Sequence, residues 1–200
     1  DLVSHAPDTI VADISRLGDL RRVFKREMPD GVIHTAAYTD VDGCESKKRL
    51  AWKVNVTGTA NTAECALGVK ARMLHISTDY VFDGKKGPYA ESDKVNPISY
   101  YGVTKLEAEK AVRSVDRSAV IVRTCVPYDW NNSAAPNFLM WLVQQLKAGK
   151  PVKIVTDQWN TPTFVPDFAR SLLELVLSVE RGVLNVSGAE FINRFDFAVK

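Results

Sequence analysis

The sequence predicts an α/β protein built on a doubly wound parallel sheet. Short apolar runs alternate along the chain with segments of helical periodicity. The runs are almost continuously apolar, as expected for strands buried beneath helices. Small, hydroxylated or acidic residues follow the strands at their carboxyl ends, where open sheets of this class bind ligands. With 46% hydrophobic and 25% charged residues, the 200-residue chain can form a substantial core.

Each element follows from its local pattern. Strands are predicted at 31–37, 71–77, 118–124 and 183–188, with a weaker one at 152–155. Helices are predicted at 16–28, 46–67, 100–114, 136–149 and 166–180, and another begins near residue 194. Proline opens two of these helices, and Gly149 closes one, in agreement with known helix-end preferences.

Composition and charge narrow the class of function. A net charge of +2 predicts no nucleic-acid partner. No apolar run approaches the roughly 20 residues needed to cross a bilayer, so no membrane partner is expected. Cys44, Cys65 and Cys125 are scattered and odd in number, which is typical of reduced thiols in a cytoplasmic protein. No histidine or cysteine cluster indicates a metal site.

Tyr101 and Lys105 are four residues apart and share one face of a predicted helix. Such a phenol can protonate a carbonyl oxygen that has received a hydride, and a neighbouring ammonium would lower its pKa from about 10. A hydroxyl of Ser77 or Thr78, at the end of the preceding strand, could hold the substrate oxygen. Alone, the pattern also fits an aromatic side chain packed beside a solvated lysine, because Y-x-x-x-K arises often by chance.

A longer stretch of the sequence, which includes Tyr101 and Lys105, resembles a known protein family. The segment "HISTDYVFDGKKGPYAESDKVNPISYYGVTKLEAEKAV" resembles the core of the extended short-chain dehydrogenase/reductase superfamily and, more narrowly, the dTDP-4-dehydrorhamnose reductase family. The segments "AAYTDVDGCE", "VNVTGTANTAECA" and "DQWNTPT" follow the pattern of that family in the same order. The resemblance implies a Rossmann-like sheet with part of a smaller substrate-binding region. It also implies reduction of dTDP-4-dehydrorhamnose to dTDP-L-rhamnose, with NADPH or NADH as the cofactor.

The resemblance assigns roles to individual residues. Its motif tyrosine precedes a glycine, as Tyr101 precedes Gly102, and its threonine corresponds to Thr78. The implied catalytic residues are Thr78, Tyr101 and Lys105. The implied cofactor contacts are Asp13, Ile14, Ala36, Ala37, Tyr38, Asn55, Ser77, Tyr101, Lys105 and Val126. The implied substrate contacts are Asp79, Tyr80, Val81, Tyr100, Trp159 and Thr163.

The sequence departs from the family pattern in one major respect. None of its eleven glycines forms the G-x-x-G-x-x-G turn that binds a pyrophosphate at a helix N-terminus. We therefore expect an N-terminally truncated cofactor domain, comprising 1–128 and 151–170, and incomplete substrate-side segments at 129–150 and 171–200. We expect these residues alone to bind a nicotinamide cofactor poorly, and the preference for NADH or NADPH cannot be read.

Two alternatives belong to other functional classes. Other nucleotide-sugar epimerases and dehydratases of the extended superfamily share the tyrosine and lysine but recycle a tightly bound cofactor. The regulatory β subunit of methionine adenosyltransferase resembles the same family and is a binding partner, not an enzyme. The narrower signatures favour a reductase with a nucleotide-sugar substrate, and the resemblance allows a homodimer.

Overall fold

The computed structural model describes residues 9–130 and 137–200, which fall into two compact units. The first unit extends to Arg123 and includes Leu172–Asn185. The second comprises Thr124–Ser171 and Val186–Lys200. This division differs from the predicted one, which joined 151–170 to the cofactor part and left 171–200 outside it. The reason is strand pairing, because the strand that ends at Asn185 belongs to the sheet of the first unit.

Helices and strands alternate along most of the described part of the chain. The helices are α1 (Leu17–Glu27), α2 (Val41–Ser46), α3 (Lys48–Trp52), a π-helix (Lys53–Gly58), α4 (Thr59–Gly68), a 3-10 turn (Asp79–Val81), α5 (Tyr100–Val115), α6 (Phe138–Lys147), α7 (Val165–Leu177) and α8 (Arg194–Val199). The strands are β1 (Gly31–His34), β2 (Arg72–Thr78), β3 (Val120–Thr124), β4 (Pro127–Tyr128), β5 (Trp159–Asn160), β6 (Thr163–Phe164), β7 (Gly182–Asn185) and β8 (Ile192–Asn193).

A four-stranded sheet with the order β1-β2-β3-β7 forms the centre of the first unit. β1 pairs with β2 and β3 pairs with β7, both in parallel. Apolar side chains of β2 and β3 pack against α1, α4 and α5, because those strands alternate with amphipathic helices along the chain. The predicted α/β class with a parallel sheet is confirmed. The core residues are Leu20, Phe24, Ala63, Cys65, Ala66, Ala71, Met73, Val112, Ala119 and Ile121.

The second unit contains two small pairs of strands. β4 pairs with β6 in parallel, and β5 pairs with β8 in antiparallel. These two-residue strands were not predicted, because so short a segment has no detectable periodicity. The predicted strand at 152–155 is wrong, since this segment has no regular structure and Lys153 and Val155 are exposed.

The predicted helix at 46–67 is interrupted. α2 and α3 lead into the π-helix before α4 begins. Close packing fixes this segment, because a Cβ on Gly58 would lie 2.6 Å from Cδ1 of Ile14. Single π-helical turns occur frequently at functional sites. The proposed start of another helix at Pro136 lies outside the described residues, which place α6 at Phe138–Lys147.

Two further expectations concern the cysteines and the membrane. Cys44, Cys65 and Cys125 are buried free thiols. Within residues 9–130 and 137–200, none of the helices has the length and apolar character needed to cross a membrane.

Candidate active site

The N-terminus of α5 carries the two central side chains. Ser99 caps this helix, since its Oγ accepts a hydrogen bond from the N–H of Gly102 at 3.1 Å. The helix therefore begins at Tyr100, with Tyr101 in its first turn and Lys105 one turn further on. Gly102 allows a close approach to the 3-10 turn, because a Cβ there would lie 2.2 Å from the carbonyl oxygen of Tyr80.

Tyr101 lies close to Thr78, the last residue of β2, and the Thr78 hydroxyl acts to lower the pKa of the phenol. The Oγ1 of Thr78 accepts from the N–H of Tyr80 at 3.2 Å and donates to Oδ1 of Asp79 at 3.1 Å. The rings of Tyr80 and Tyr101 meet edge to face, with centroids 5.6 Å apart. The structure thus joins the predicted threonine and tyrosine, although they are 23 residues apart in the chain.

The pKa of Tyr101 lies above its ordinary value. Burial is the main cause, the charge of Asp79 adds to it, and the nearby hydroxyl of Thr78 acts in the opposite direction. The expectation that Lys105 lowers the tyrosine pKa is therefore wrong for this structure. Desolvation of the phenolate is the stronger effect here.

Lys105 is only 3% exposed. Its Nζ donates to the carbonyl oxygen of Ile76, inside β2, at 2.7 Å. Burial lowers the pKa of Lys105 to about 8, while the nearby carboxylate of Glu109 acts to raise it. The amine is therefore mostly protonated at neutral pH.

Two stacked histidines are coupled electrostatically to this lysine. The rings of His34 and His75 are 5.4 Å apart and nearly parallel. Burial, and then the charge of Lys105, lower the pKa of His34 to about 3 and that of His75 well below its usual value. Both rings are therefore neutral and add no positive charge beside Lys105.

Asn55, in the π-helix, connects the loop after β1 with α5. Its Oδ1 accepts from the N–H of Tyr38 at 2.7 Å, and its Nδ2 donates to the carbonyl of Tyr38 at 3.1 Å. Nδ2 also donates to Oγ1 of Thr104 at 2.9 Å. This arrangement fixes the backbone of the loop that contains Ala36 and Ala37, where Ala36 is exposed and Ala37 half-buried.

Asp13 and Ile14 precede α1. Oδ1 of Asp13 accepts from the N–H and Oγ of Ser15 at 2.9 and 2.7 Å, and these bonds hold the pKa of the Asp13 carboxyl below its usual value. Ile14 packs on Gly58. Oδ2 of Asp13 lies 3.6 Å from Nε of Arg16, so both oxygens of this fixed carboxylate have partners.

Three other predicted residues have environments that limit their roles. Ser77 is buried and its Oγ donates to Glu109 at 2.5 Å, so its hydroxyl is already engaged and Thr78 is the hydroxyl beside Tyr101. Val81 is fully buried, so its side chain offers no surface to a substrate. Tyr100 is half-buried, and its ring lies 5.1 Å from the amine of Lys48.

Val126, Trp159 and Thr163 belong to the second unit. Val126 has φ 42°, a left-handed conformation that is rare for a β-branched residue. Trp159 is 53% exposed and stacks on Phe191 with ring centroids 5.3 Å apart. Thr163 is buried and its Oγ1 donates to the carbonyl of Cys125 at 2.7 Å, so this hydroxyl is already committed to the backbone.

The sequence reasoning missed two groups of supporting residues. Thr104 lies between Asn55 and the carbonyl of Tyr101, to which its Oγ1 donates at 2.8 Å. Glu109 and Arg123 form a buried ion pair at 2.7 Å. The available signal was polar residues at otherwise apolar positions of α5 and β3, since buried charges are almost always paired.

All 200 residues match the family described as the RmlD substrate binding domain. The chain belongs to the RmlD substrate binding domain family. This RmlD-family chain is 40% identical over 173 residues to a dTDP-4-dehydrorhamnose reductase of Mycobacterium tuberculosis, a match that covers 83% of this chain and 56% of that protein. The chain therefore spans little more than half the length of that relative.

Solved structures of RmlD-family relatives agree with this fold. A dTDP-4-dehydrorhamnose reductase of Clostridium acetobutylicum is 36% identical with a TM-score of 0.88, covering 98% of this chain and 71% of that one. The enzyme of the same name from Bacillus anthracis, in complex with NADP, is 32% identical with a TM-score of 0.88, covering 94% and 66%.

Proposed function

We propose that this protein is an NAD(P)H-dependent reductase of the 4-keto group of a dTDP-4-dehydro-6-deoxy sugar, with dTDP-L-rhamnose as the product. The observation that carries the proposal is the placement of Tyr101 beside the end of β2, where its ring contacts Tyr80 next to Thr78, with the buried amine of Lys105 one turn along the same helix. A phenol, a hydroxyl and a cation are the groups needed to protonate a carbonyl oxygen during reduction.

The described residues fit a nicotinamide cofactor. Lys105 carries three N–H donors, and within the described residues the carbonyl of Ile76 is its one acceptor. The remaining N–H groups suit the hydroxyls of a ribose. The backbone held by Asn55, at Ala36–Tyr38, together with Asp13 and Ile14, would bind the rest of the molecule. When bound, the cofactor supplies the hydride.

The protein's own side chains then supply the proton that the substrate oxygen needs. Because its pKa is raised, Tyr101 is fully protonated at neutral pH and can act as a general acid. Thr78 would hold the substrate oxygen beside it. As the phenolate develops, the neighbouring charge of Asp79 favours its reprotonation from solvent.

The remaining features of the proposal rest on the relatives. A nucleotide-sugar substrate follows from the names of the reductases that the chain resembles. A stacking surface at Trp159 and a nicotinamide contact at Val126 remain predictions. A cytoplasmic location agrees with the three free thiols, and a homodimer remains a prediction.

The test compares two adjacent tyrosines. The complete protein is mixed with NADPH and dTDP-4-dehydro-6-deoxy-L-mannose, and loss of nicotinamide absorbance is followed for wild type, Tyr101→Phe and Tyr100→Phe. Loss of the general acid should reduce kcat about 100-fold or more in Tyr101→Phe. Tyr100→Phe removes a phenol oxygen from a residue assigned to substrate lining, so its effect should fall mainly on KM.

Three results would overturn the proposal. Undiminished turnover in Tyr101→Phe would remove this residue from proton transfer. Conversion of a sugar nucleotide by wild type without net consumption of NADPH would instead favour an epimerase or dehydratase. Failure of wild type to act on any sugar nucleotide would favour the non-catalytic alternative.

A further inference from the structure

A buried network lies one helical turn beyond Lys105. Oε1 of Glu109 accepts hydrogen bonds from Oγ of Ser77 at 2.5 Å and from Nε of Arg123 at 2.9 Å. Oε2 accepts from the second terminal nitrogen of Arg123 at 2.7 Å. The relative exposures of Ser77, Glu109 and Arg123 are 3%, 3% and 6%. We call these three residues the Glu109 network.

The Glu109 network joins three elements of the first unit. Ser77 lies in β2 next to Thr78, Glu109 lies in α5 four residues after Lys105, and Arg123 lies in β3. Residues four apart on a helix occupy the same face. The carboxylate therefore contacts the strand that ends in the proposed substrate hydroxyl, and shares a helical face with the proposed catalytic amine.

Arg123 connects the Glu109 network with the loop after β2. Its guanidinium lies 5.1 Å from the ring of Phe82, which stacks on Tyr89 with centroids 4.3 Å apart. Its other terminal nitrogen approaches the carbonyl of Glu91 at 3.4 Å. Glu109 thus holds the chain before Thr78 through Ser77, and its partner Arg123 contacts the chain after Thr78.

We propose that Glu109 is a positioning residue of the active site, which anchors the end of β2 beneath Thr78 and supports the cation of Lys105. The catalytic part of this inference rests on the proposed function. Its structural part, the dependence of Lys105 on Glu109, can be tested without any turnover.

The charge of Glu109 should have a measurable effect on the pKa of Lys105. Among the described residues, the groups coupled electrostatically to Lys105 are His34 on β1, His75 on β2 and Glu109 on α5, and Glu109 is itself paired with Arg123 on β3. Both histidines are neutral, so Glu109 is the group that opposes the desolvation of the ammonium. Loss of its charge should lower the pKa of Lys105, and the lysine should deprotonate at a lower pH.

The first experiment titrates Lys105 by NMR with isotope-labelled lysine, in the complete protein. The signal is assigned by its loss in Lys105→Met. In Glu109→Gln the midpoint of the Lys105 titration should fall by about one pH unit. The matched control is Glu107→Gln, which removes a carboxylate that pairs on the surface of the same helix with Lys110 at 2.6 Å. This control should leave the midpoint unchanged.

A second variant separates positioning from simple stabilisation. Glu109→Gln leaves the guanidinium of Arg123 buried without its partner and is expected to lower the Tm. The double variant Glu109→Gln with Arg123→Met removes both charges and should recover much of the Tm. If Glu109 acts on Lys105, the lowered titration midpoint persists in the double variant. Its kcat then falls off with rising pH about one unit earlier than in wild type.

The outcomes distinguish the role of Glu109 from the proposed catalytic function. A Lys105 midpoint equal to that of wild type in Glu109→Gln, or its return to that value in the double variant, would overturn the role of Glu109. Absence of turnover in wild type, with the midpoint shifted in both variants, would overturn the proposed function and leave the support of Lys105 by Glu109 intact.

Discussion

Nδ2 of Asn55 donates to Oγ1 of Thr104 at 2.9 Å, between residues 49 positions apart in the chain. Both side chains are completely buried. Asn55 also holds the backbone of Tyr38 through two hydrogen bonds, and Thr104 donates to the carbonyl of Tyr101. One short chain of hydrogen bonds therefore links the loop after β1 with the first turn of α5.

We expect Thr104→Val to lower both stability and activity. Valine has nearly the shape of threonine, so the change removes the hydroxyl and leaves one N–H of Asn55 without its acceptor. The free energy of unfolding should fall by about 1–3 kcal/mol. Urea denaturation checks this value, and kcat with NADPH should fall because Tyr101 is less firmly held.

Thr62→Val is the matched control for this change. Thr62 is also buried, but its Oγ1 donates to the carbonyl of Gly58 within its own helical segment at 2.8 Å. The control should lose about 1 kcal/mol of stability and retain kcat. Equal loss of kcat in both variants would show that Thr104 has no specific connection to the active site.

A pair of glycine substitutions tests the packing around Tyr101. Gly102→Ala would place a Cβ 2.2 Å from the carbonyl oxygen of Tyr80, a backbone atom that cannot move aside easily. This overpacking should cost about 1–3 kcal/mol and displace the neighbouring Tyr101. Thermal unfolding and kcat measure the two effects.

Gly18→Ala provides the reference for Gly102→Ala. Gly18 lies in α1 and has no atom within 4 Å of an added Cβ. Alanine there should raise the free energy of unfolding by about 0.5–1 kcal/mol, because glycine loses more conformational entropy in a helix. If Gly102→Ala were equally benign, the close approach to Tyr80 would not constrain the site.

The buried histidines predict acid sensitivity. Their unfolded pKa is about 6.5, and in the folded protein that of His34 is about 3 and that of His75 well below normal. Below about pH 6.5 the unfolded chain therefore binds protons that the folded chain does not. Stability should fall as the pH is lowered, by up to about 1.4 kcal/mol per pH unit for each histidine.

His75→Leu isolates one of these two contributions. In the described part of the chain neither ring nitrogen of His75 has a hydrogen-bond partner, so an apolar side chain of similar size should be tolerated at neutral pH. The slope of unfolding free energy against pH, measured with urea between about pH 5 and 7, should be roughly halved. An unchanged slope would mean that His75 does not control the acid response.

Local pattern was sufficient to predict the strands of the main sheet and the spacing of Tyr101 and Lys105, because both depend on short-range periodicity. It could not predict the pairing of Glu109 with Arg123, since a charge in a sequence carries no record of the strand it will face. The raised pKa of Tyr101 was missed for a related reason, because burial depends on the assembled fold. The interruption of the long helix at Asn55 depended on close packing between Gly58 and Ile14.

The left-handed backbone of Val126 leads to a last prediction. At ordinary backbone angles Gly is less stable than Ala by about 0.5–1 kcal/mol, because it loses more entropy on folding. At φ 42° the order should reverse, since Ala retains the clash of its Cβ while Gly does not. Val126→Gly should therefore be more stable than Val126→Ala, by about 1 kcal/mol in urea denaturation.

These two variants also separate backbone strain at Val126 from the proposed contact of its side chain with the cofactor. Both remove the isopropyl group that we assign to the nicotinamide side, so both should raise the KM for NADPH to a similar extent. Lys70, exposed and at φ 63°, offers a comparison in which Lys70→Gly should again be more stable than Lys70→Ala, with no change in KM. If Val126→Ala were the more stable of its pair, the backbone at this position would not be strained in solution. An unaltered KM in both would remove Val126 from the cofactor contacts.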